Sequence, residues 1–316
     1  MYRVHADCVS NDQERYGDPM IQAENLTKKF GSYTALKNIS CTIQDGCIYG
    51  MVGSNGAGKS TFLRILSGVY RADGGTVTMD GEPIYESPAS KGQIAFVPDD
   101  LYYINGANMD RMAALYQSLY PGFDRKKYES LAKELDLDRK KSINTFSKGM
   151  RRQAITILAL AVSPKYIFFD ETFDGMDPVV RTYIKGLICQ DVLDRGAAAI
   201  ITSHSLRELE DTCDQLALLH RGGLVLESDI QNLKTSQFKI QIAFHEAYDQ
   251  SKFNCLDLVH FSKSGSVANL IVRGERENTL ETLRAMNPAL LEALPLSLEE
   301  VFTYEMEALG YTFHLD

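Results

Sequence analysis

Gly53-Ser54-Asn55-Gly56-Ala57-Gly58-Lys59-Ser60-Thr61 carries the spacing G-x-x-x-x-G-K-[ST]. The apolar run Cys47 to Val52 precedes it, and Phe62-Leu63-Arg64-Ile65-Leu66 follows with helical character. A strand that turns through glycines into a helix is the setting in which this spacing binds phosphate. Phosphate oxygens need several N–H donors converging on one point, and glycines let the backbone curl closely enough to supply them. The helix beginning near Lys59 adds its positive end. Lys59 is placed to reach the β- and γ-phosphates, and Ser60 to set its hydroxyl on Mg²⁺. An ordinary Gly-rich turn is the competing reading; strand, motif and helix together favour a nucleotide site.

Upstream, Ile21 to Leu26 and Tyr33 to Ile43 read as strands joined by a turn at Gly31-Ser32. Phe30, flanked by Lys28, Lys29 and Gly31, is either a core residue of this hairpin or an aromatic face for an adenine ring. Downstream, Asp80-Gly81 marks a hairpin between Thr76 to Met79 and Glu82 to Tyr85, and the strand Gln93 to Val97 runs into Pro98-Asp99-Asp100. From Asn108 to Leu137 the pattern turns helical. One face carries Met112, Leu115, Tyr116 and Leu119, and a second amphipathic run covers Tyr128 to Leu137.

Thr145 to Gln153 leads into the apolar run Ala154 to Val162, with Ser147 as helix N-cap and the following N–H groups free for an anion. Tyr166-Ile167-Phe168-Phe169-Asp170-Glu171 is an apolar strand ending in two carboxylates. The C-terminal ends of such strands are where α/β sheets place ligands. Asp170 there suits Mg²⁺ held through water, and Glu171 suits orienting or deprotonating an attacking water. Asp174 to Pro178 is a turn feeding the helix Val179 to Leu193. The strand Ala197 to Thr202 then delivers Ser203-His204 to the same edge, where the histidine is placed to touch a γ-phosphate or polarise water.

Taken together, these stretches resemble the ATP-binding subunit of an ATP-binding cassette (ABC) transporter over about residues 20–233, by motifs in the family's order and spacing. Phe30 matches the adenine-stacking aromatic, Gly53 to Thr61 Walker A, Ile167 to Asp170 Walker B, Glu171 the catalytic glutamate, Asp174 to Asp177 the D-loop and His204 the switch histidine. Phe146 to Met150 matches the signature motif LSGGQ with changes. The resemblance implies an α/β P-loop NTPase fold of ABC type: a RecA-like mixed sheet, an antiparallel β-subdomain and a helical subdomain at about 100–160. It implies ATP and Mg²⁺ as ligands and ATP hydrolysis as activity. Two such domains, identical or not, would pair head to tail, so that Ser147, Lys148, Gly149 and Asp177 of one complete the ATP site of the other. A permease on a separate chain, of exporter type, would ride on the helical insert at the inner face of the cell membrane. A soluble ABC-type switch in translation, repair or regulation is the alternative.

Three departures stand out. Asp99 occupies the place usually held by Gln or, in some branches, Glu, and its shorter, charged side chain puts a direct contact to Mg²⁺ or the lytic water in question; Lys148 replaces Gly and Met150 replaces Gln in the signature. Lys148 would add a cation near the phosphate, and the turnover rate is left open.

Residues 1–19 read as a polar extension, with Met20 as an alternative start, and residues 20–235 as the nucleotide-binding domain. Residues 236–316 read as an α+β appendage, with strands at Phe238 to Phe244 and Ser266 to Val272 and helices at Asn278 to Ala285 and Leu296 to Met306. This tail, with its Ser297 to Phe302 segment, is similar to those of bacterial exporters whose permeases are separate chains.

The net charge of −9 argues against a nucleic-acid partner. The six cysteines show no metal or disulfide spacing and suit a reduced cytosol. The longest apolar run, Ile155 to Val162, is too short for a bilayer.

Overall fold

The computed structural model describes residues 21–308, so the expected extension at 1–19 lies outside the described residues. The first elements are β1 (Ile21–Phe30), β2 (Tyr33–Ile43), β3 (Ile48–Val52), α1 (Lys59–Leu66), β4 (Gly74–Met79), β5 (Glu82–Pro83), α2 (Pro88–Lys91) and β6 (Ile94–Val97). A helical segment follows, with α3 (Met109–Leu119), α4 (Arg125–Glu134) and α5 (Lys148–Ala161). Then come β7 (Tyr166–Asp170), α6 (Pro178–Arg195), β8 (Ala198–Ser203), α7 (Leu206–Glu210), β9 (Gln215–His220) and β10 (Gly223–Asp229).

Two sheets carry this part of the chain. The smaller runs β2-β1-β4-β5 and is antiparallel. The larger runs β10-β9-β3-β8-β7-β6, and β9, β3, β8, β7 and β6 are parallel. Every residue of β3, β7 and β8 is buried, as expected of parallel strands covered on both faces. Their register sets Val52 beside Ser203 and Asp170 beside Thr202, so the loops leaving β3, β7 and β8 emerge at one edge. Leu26, Leu36, Tyr49, Phe62, Leu63, Tyr166 and Ile200 share the core beneath that edge. At roughly 1.5–3 kcal/mol for each large apolar side chain buried, this core holds the loops in place.

In the helical segment α3 buries Met109, Met112 and Ala113. Leu119, expected on the same face, is 64% exposed instead. The helix stops at Leu119 and Tyr120 continues extended; in this last turn Tyr116 packs against Tyr120 and Phe123, while Leu119 faces solvent. Asn108, Asp124 and Ser147 cap α3, α4 and α5 through their side chains.

The chain divides into two compact units between Glu227 and Ser228, within β10 and ahead of the 235/236 boundary read from the sequence. The second unit contains α8 (Ile230–Ser236), β11 (Gln237–Ala243), β12 (Asp257–Ser264), β13 (Val267–Arg273), α9 (Arg276–Ala285), β14 (Leu290–Leu294) and α10 (Leu298–Ala308). Its sheet, β12-β13-β11-β14, is antiparallel over a core of Phe238, Ile240, Phe253, Leu270 and Leu283. Ser297 and Glu300 form a reciprocal capping box at the start of α10. Among the described residues no helix is long and apolar enough to cross a membrane.

Candidate functional site

α1 begins at Lys59 behind Gly58, which at φ 109° supplies no capping side chain, so the first N–H groups of the helix stay open to an anion. Lys59 is 5% exposed and points back over the loop. Its Nζ donates to the Gly53 carbonyl at 2.6 Å and the Ser54 carbonyl at 3.2 Å and pairs with Glu171 Oε1 at 3.1 Å. Gly53 lies so close to β9 that a Cβ there would collide with the Leu219 carbonyl oxygen.

From β7, Asp170 is fully buried. Its Oδ1 accepts from Ser60 Oγ at 3.0 Å and from Thr202 Oγ1 at 2.8 Å, while Oδ2 has no hydrogen-bond partner. Burial pushes the Asp170 carboxyl above its ordinary value, against the pull of those two hydrogen bonds. A carboxylate oxygen buried without a partner, beside a P-loop hydroxyl, fits a divalent cation: Mg²⁺ takes one or two carboxylates and substrate phosphates.

Glu171 follows with φ 48°, a left-handed conformation that turns its side chain back toward the P-loop. Its Oε2 accepts the His204 backbone N–H at 3.2 Å and meets His204 Nδ1 at 2.9 Å. The P-loop, both carboxylates and His204 are thus one connected set. They open into a cleft of about 260 Å³ lined by Phe30, Tyr33, Ala35, Asn55, Gly56, Gly58, Lys59, Ser60, Thr61, Asp99 and Glu171. Ala57 is buried under the loop. Phe30 is exposed at the rim, edge-on to Tyr70 at 5.8 Å, rather than inside the hairpin.

Ser147, Lys148, Gly149 and Asp177 are not among the residues that line the cleft. Ser147 caps α5 by accepting from the Met150 N–H at 3.2 Å, and Asp177 caps α6 by accepting from the Val179 N–H at 2.9 Å. Lys148 Nζ binds Asp174 Oδ2 at 2.6 Å, so in the chain alone its charge is taken up by the D-loop; that hydrogen bond holds Asp174 below the usual carboxylate range. Gly149 sits against the same loop, where a Cβ would press on the Gly175 carbonyl at 2.9 Å.

Three residues of this network escape sequence reading: Arg152, Thr202 and Tyr33. Arg152 is 1% exposed and donates to the Glu171 carbonyl and, at 2.6 Å, to Asp99 Oδ1. Thr202 links Asp170 to Glu171, accepting from the Glu171 N–H at 3.1 Å. Tyr33 shares the rim with Phe30. Asp174, already read as the start of the D-loop, takes up Lys148. The available signals were an arginine just inside an otherwise apolar helix and a threonine ending an otherwise apolar strand.

A parallel sheet that presents a P-loop, a buried aspartate and a following glutamate at one edge defines a P-loop nucleotide-binding domain. The ABC transporter family model matches residues 36–174. Over 287 residues the chain is 30% identical to the ABC transporter ATP-binding protein YtrB of Bacillus subtilis (strain 168), spanning 90% of this chain and 97% of that protein. Over 216 residues it is 32% identical to the lipopolysaccharide export system ATP-binding protein LptB of Haemophilus influenzae, spanning 65% and 89%. Among solved structures, an ATP-binding subunit of an ABC transporter superposes with TM-score 0.63 at 22% identity, covering 68% of this chain and 92% of that one. A dimeric, post-hydrolysis ATP-binding cassette bound to ADP and Pi gives 0.61 at 22% identity, covering 67% and 99%. The chain belongs to the ATP-binding subunits of ABC transporters. The comparisons support that reading and not the soluble-switch alternative.

Proposed function

We propose that this chain binds MgATP in the Phe30–Lys59 cleft, hydrolyses it, and powers a permease carried on a separate chain, in an exporter. The observation that carries this reading is the contact between both acids of β7 and the P-loop: Asp170 with Ser60 at 3.0 Å and Glu171 with Lys59 at 3.1 Å. Ser60 and Asp170 would hold Mg²⁺, whose charge neutralises phosphate oxygens as the terminal bond breaks. Lys59 would leave the Gly53 and Ser54 carbonyls for the β- and γ-phosphates. Glu171 would accept the proton of the water that attacks the γ-phosphorus, with His204 holding its second oxygen. Phe30, joined by Tyr33, would cover the base.

Ser147, Lys148, Gly149 and Asp177 lie outside the cleft of their own chain, which favours a head-to-tail pair in which they serve the partner's ATP. That pair is either two copies of this chain or this chain with a related subunit. Binding would close it and loss of the γ-phosphate reopen it. A groove lined by Val69, Lys91, Ile94, Phe96 and Tyr120 borders the helical segment, with Val69 exposed in it. We place the permease there, which would hold the subunit on the inner face of the membrane.

Two measurements test the proposal. Purified protein should release phosphate from ATP in a Mg²⁺-dependent way. A detergent-solubilised pull-down from native cells, read by mass identification, should bring a stoichiometric multi-span protein. No phosphate release with the permease present refutes hydrolysis; only soluble partners, ribosomes or DNA refutes transport.

A further inference from the structure

Arg152 sits in the first turns of α5, just after the signature segment, and its guanidinium is withdrawn from water. A buried cation persists only where its partners are well placed. Arg152 finds them on three separate segments: Asp99 after β6 at 2.6 Å, the Glu171 carbonyl after β7, and Asp174 in the turn before α6 at 3.8 Å. The planar fork of arginine can hold two such acceptors at once, which an ammonium on a single stem cannot do in the same geometry.

Glu171 is a non-glycine residue at φ 48°, a conformation that persists when its surroundings over-determine it. Both peptide groups flanking it are pinned. Its N–H donates to Thr202, and its carbonyl accepts from Arg152. The second terminal nitrogen of Arg152 donates to Asp99, which lines the nucleotide cleft and stands where the resembling family usually has Gln or, in some branches, Glu, while Nε has no hydrogen-bond partner. The carboxylate at 99 and the guanidinium at 152 form an ion pair with the guanidinium buried.

We infer that Arg152 is a positioning residue that fixes the backbone of Glu171, and that Asp99 orients Arg152 for that task. Glu171 would be aimed by an arginine tethered to the cleft wall on one side and to the signature helix on the other. This inference rests on the reading of Glu171 as the group that activates water.

The test is steady-state ATP hydrolysis by the full chain as wild type, Arg152→Lys, Asp99→Asn and the double variant, with melting curves for each. Expected for Arg152→Lys is a fall in kcat of about 10- to 100-fold with KM for ATP within about threefold, because an interaction felt in the transition state is lost while ATP binding remains. Asp99→Asn keeps an acceptor but loses the charge and should fall about three- to tenfold. The double variant should lose less than the product of the two. Asp99 is half exposed, so Asp99→Asn stays informative if Arg152→Lys does not fold. Wild-type kcat in Arg152→Lys, or a rise in KM alone, or in the unfolded case wild-type kcat in Asp99→Asn, overturns the inference while the hydrolysis reading stands. A wild type with no turnover overturns both.

Discussion

Replacing Glu171 by Gln separates three consequences that the structure ties to one side chain. Glu171 Oε1 lies 3.1 Å from Lys59 Nζ, with Lys59 5% and Glu171 12% exposed. At an effective dielectric of about 20 that pair attracts by about 5 kcal/mol before either group's desolvation is subtracted. Gln keeps the shape and a carbonyl oxygen for His204, and Lys59 keeps the Gly53 and Ser54 carbonyls. The net loss of stability in the free chain is therefore about 1–3 kcal/mol, a fall of several degrees in melting temperature for a domain of this size. ATP affinity should move the other way. In the wild type the nucleotide must draw Lys59 from Glu171 and tolerate a carboxylate beside its γ-phosphate; with Gln both obstacles go, and affinity should rise up to about tenfold, near 1.4 kcal/mol. Turnover should fall about 10²- to 10⁴-fold with the loss of the base, and the ATP-bound dimer should accumulate on a sizing column. Melting curves, equilibrium ATP binding and phosphate release together decide it. Turnover within about threefold of wild type, or weaker ATP binding, would refute this account of the site; a variant that stays monomeric with MgATP would refute the head-to-tail pair.

Gly53→Ala should cost about 1–3 kcal/mol and weaken ATP binding, since the added methyl meets a backbone carbonyl of β9 that cannot move without shifting the sheet; a wild-type urea midpoint would contradict this. Asp170 has a folded-state carboxyl held above 3.8 by burial, so the folded chain binds that proton more tightly than the unfolded one. Its contribution to stability is present below 3.8 and is lost as pH rises through the raised value. Asp170→Asn should abolish that slope in denaturation midpoints measured from pH 4 to 7, while Mg²⁺-dependent phosphate release falls at least about 100-fold. The same slope in both proteins would contradict the burial argument. ATP at about 100 times its Kd should stabilise the wild type by about 2.7 kcal/mol, and EDTA should remove most of that gain; equal melting shifts with and without EDTA would exclude Ser60 and Asp170 as the metal's holders.

What the sequence made legible follows from where its physics is local. A P-loop is a short strand–turn–helix whose glycines, lysine and hydroxyl act on one ligand, so Gly53 to Thr61 could be read without any long-range contact. Asp170, Glu171 and His204 needed only the rule that parallel strands present their C-terminal ends to ligands. Arg152 was hidden because a guanidinium inside a helix ordinarily reaches for solvent, and only the meeting of three loops gives it reason to stay buried. In the second unit, β14 is Leu-Leu-Glu-Ala-Leu, a helix-forming composition that pairing with β11 overrides. β12 breaks its alternation with a register shift between Leu258 and His260, which removes the period that would have announced a strand.

The site of the free chain is internally neutralised, and this bears on how ATP could drive a cycle. Lys59 rests on Glu171, Lys148 on Asp174 and Arg152 on Asp99, each at 3.1 Å or less. On the proposed reading, two of these cations belong to segments that a nucleotide would approach, Lys59 from its own chain and Lys148 from a head-to-tail partner. Phosphate would compete for both, and the acids they leave would be Glu171, proposed here to activate water, and Asp174. Arg152, withdrawn from water, is the cation least able to change partners, and it holds the backbone of the very glutamate that Lys59 would release. Nucleotide binding would then free the side chain of Glu171 while its peptide stays fixed, which is the condition a general base needs: mobile charge on a pinned frame.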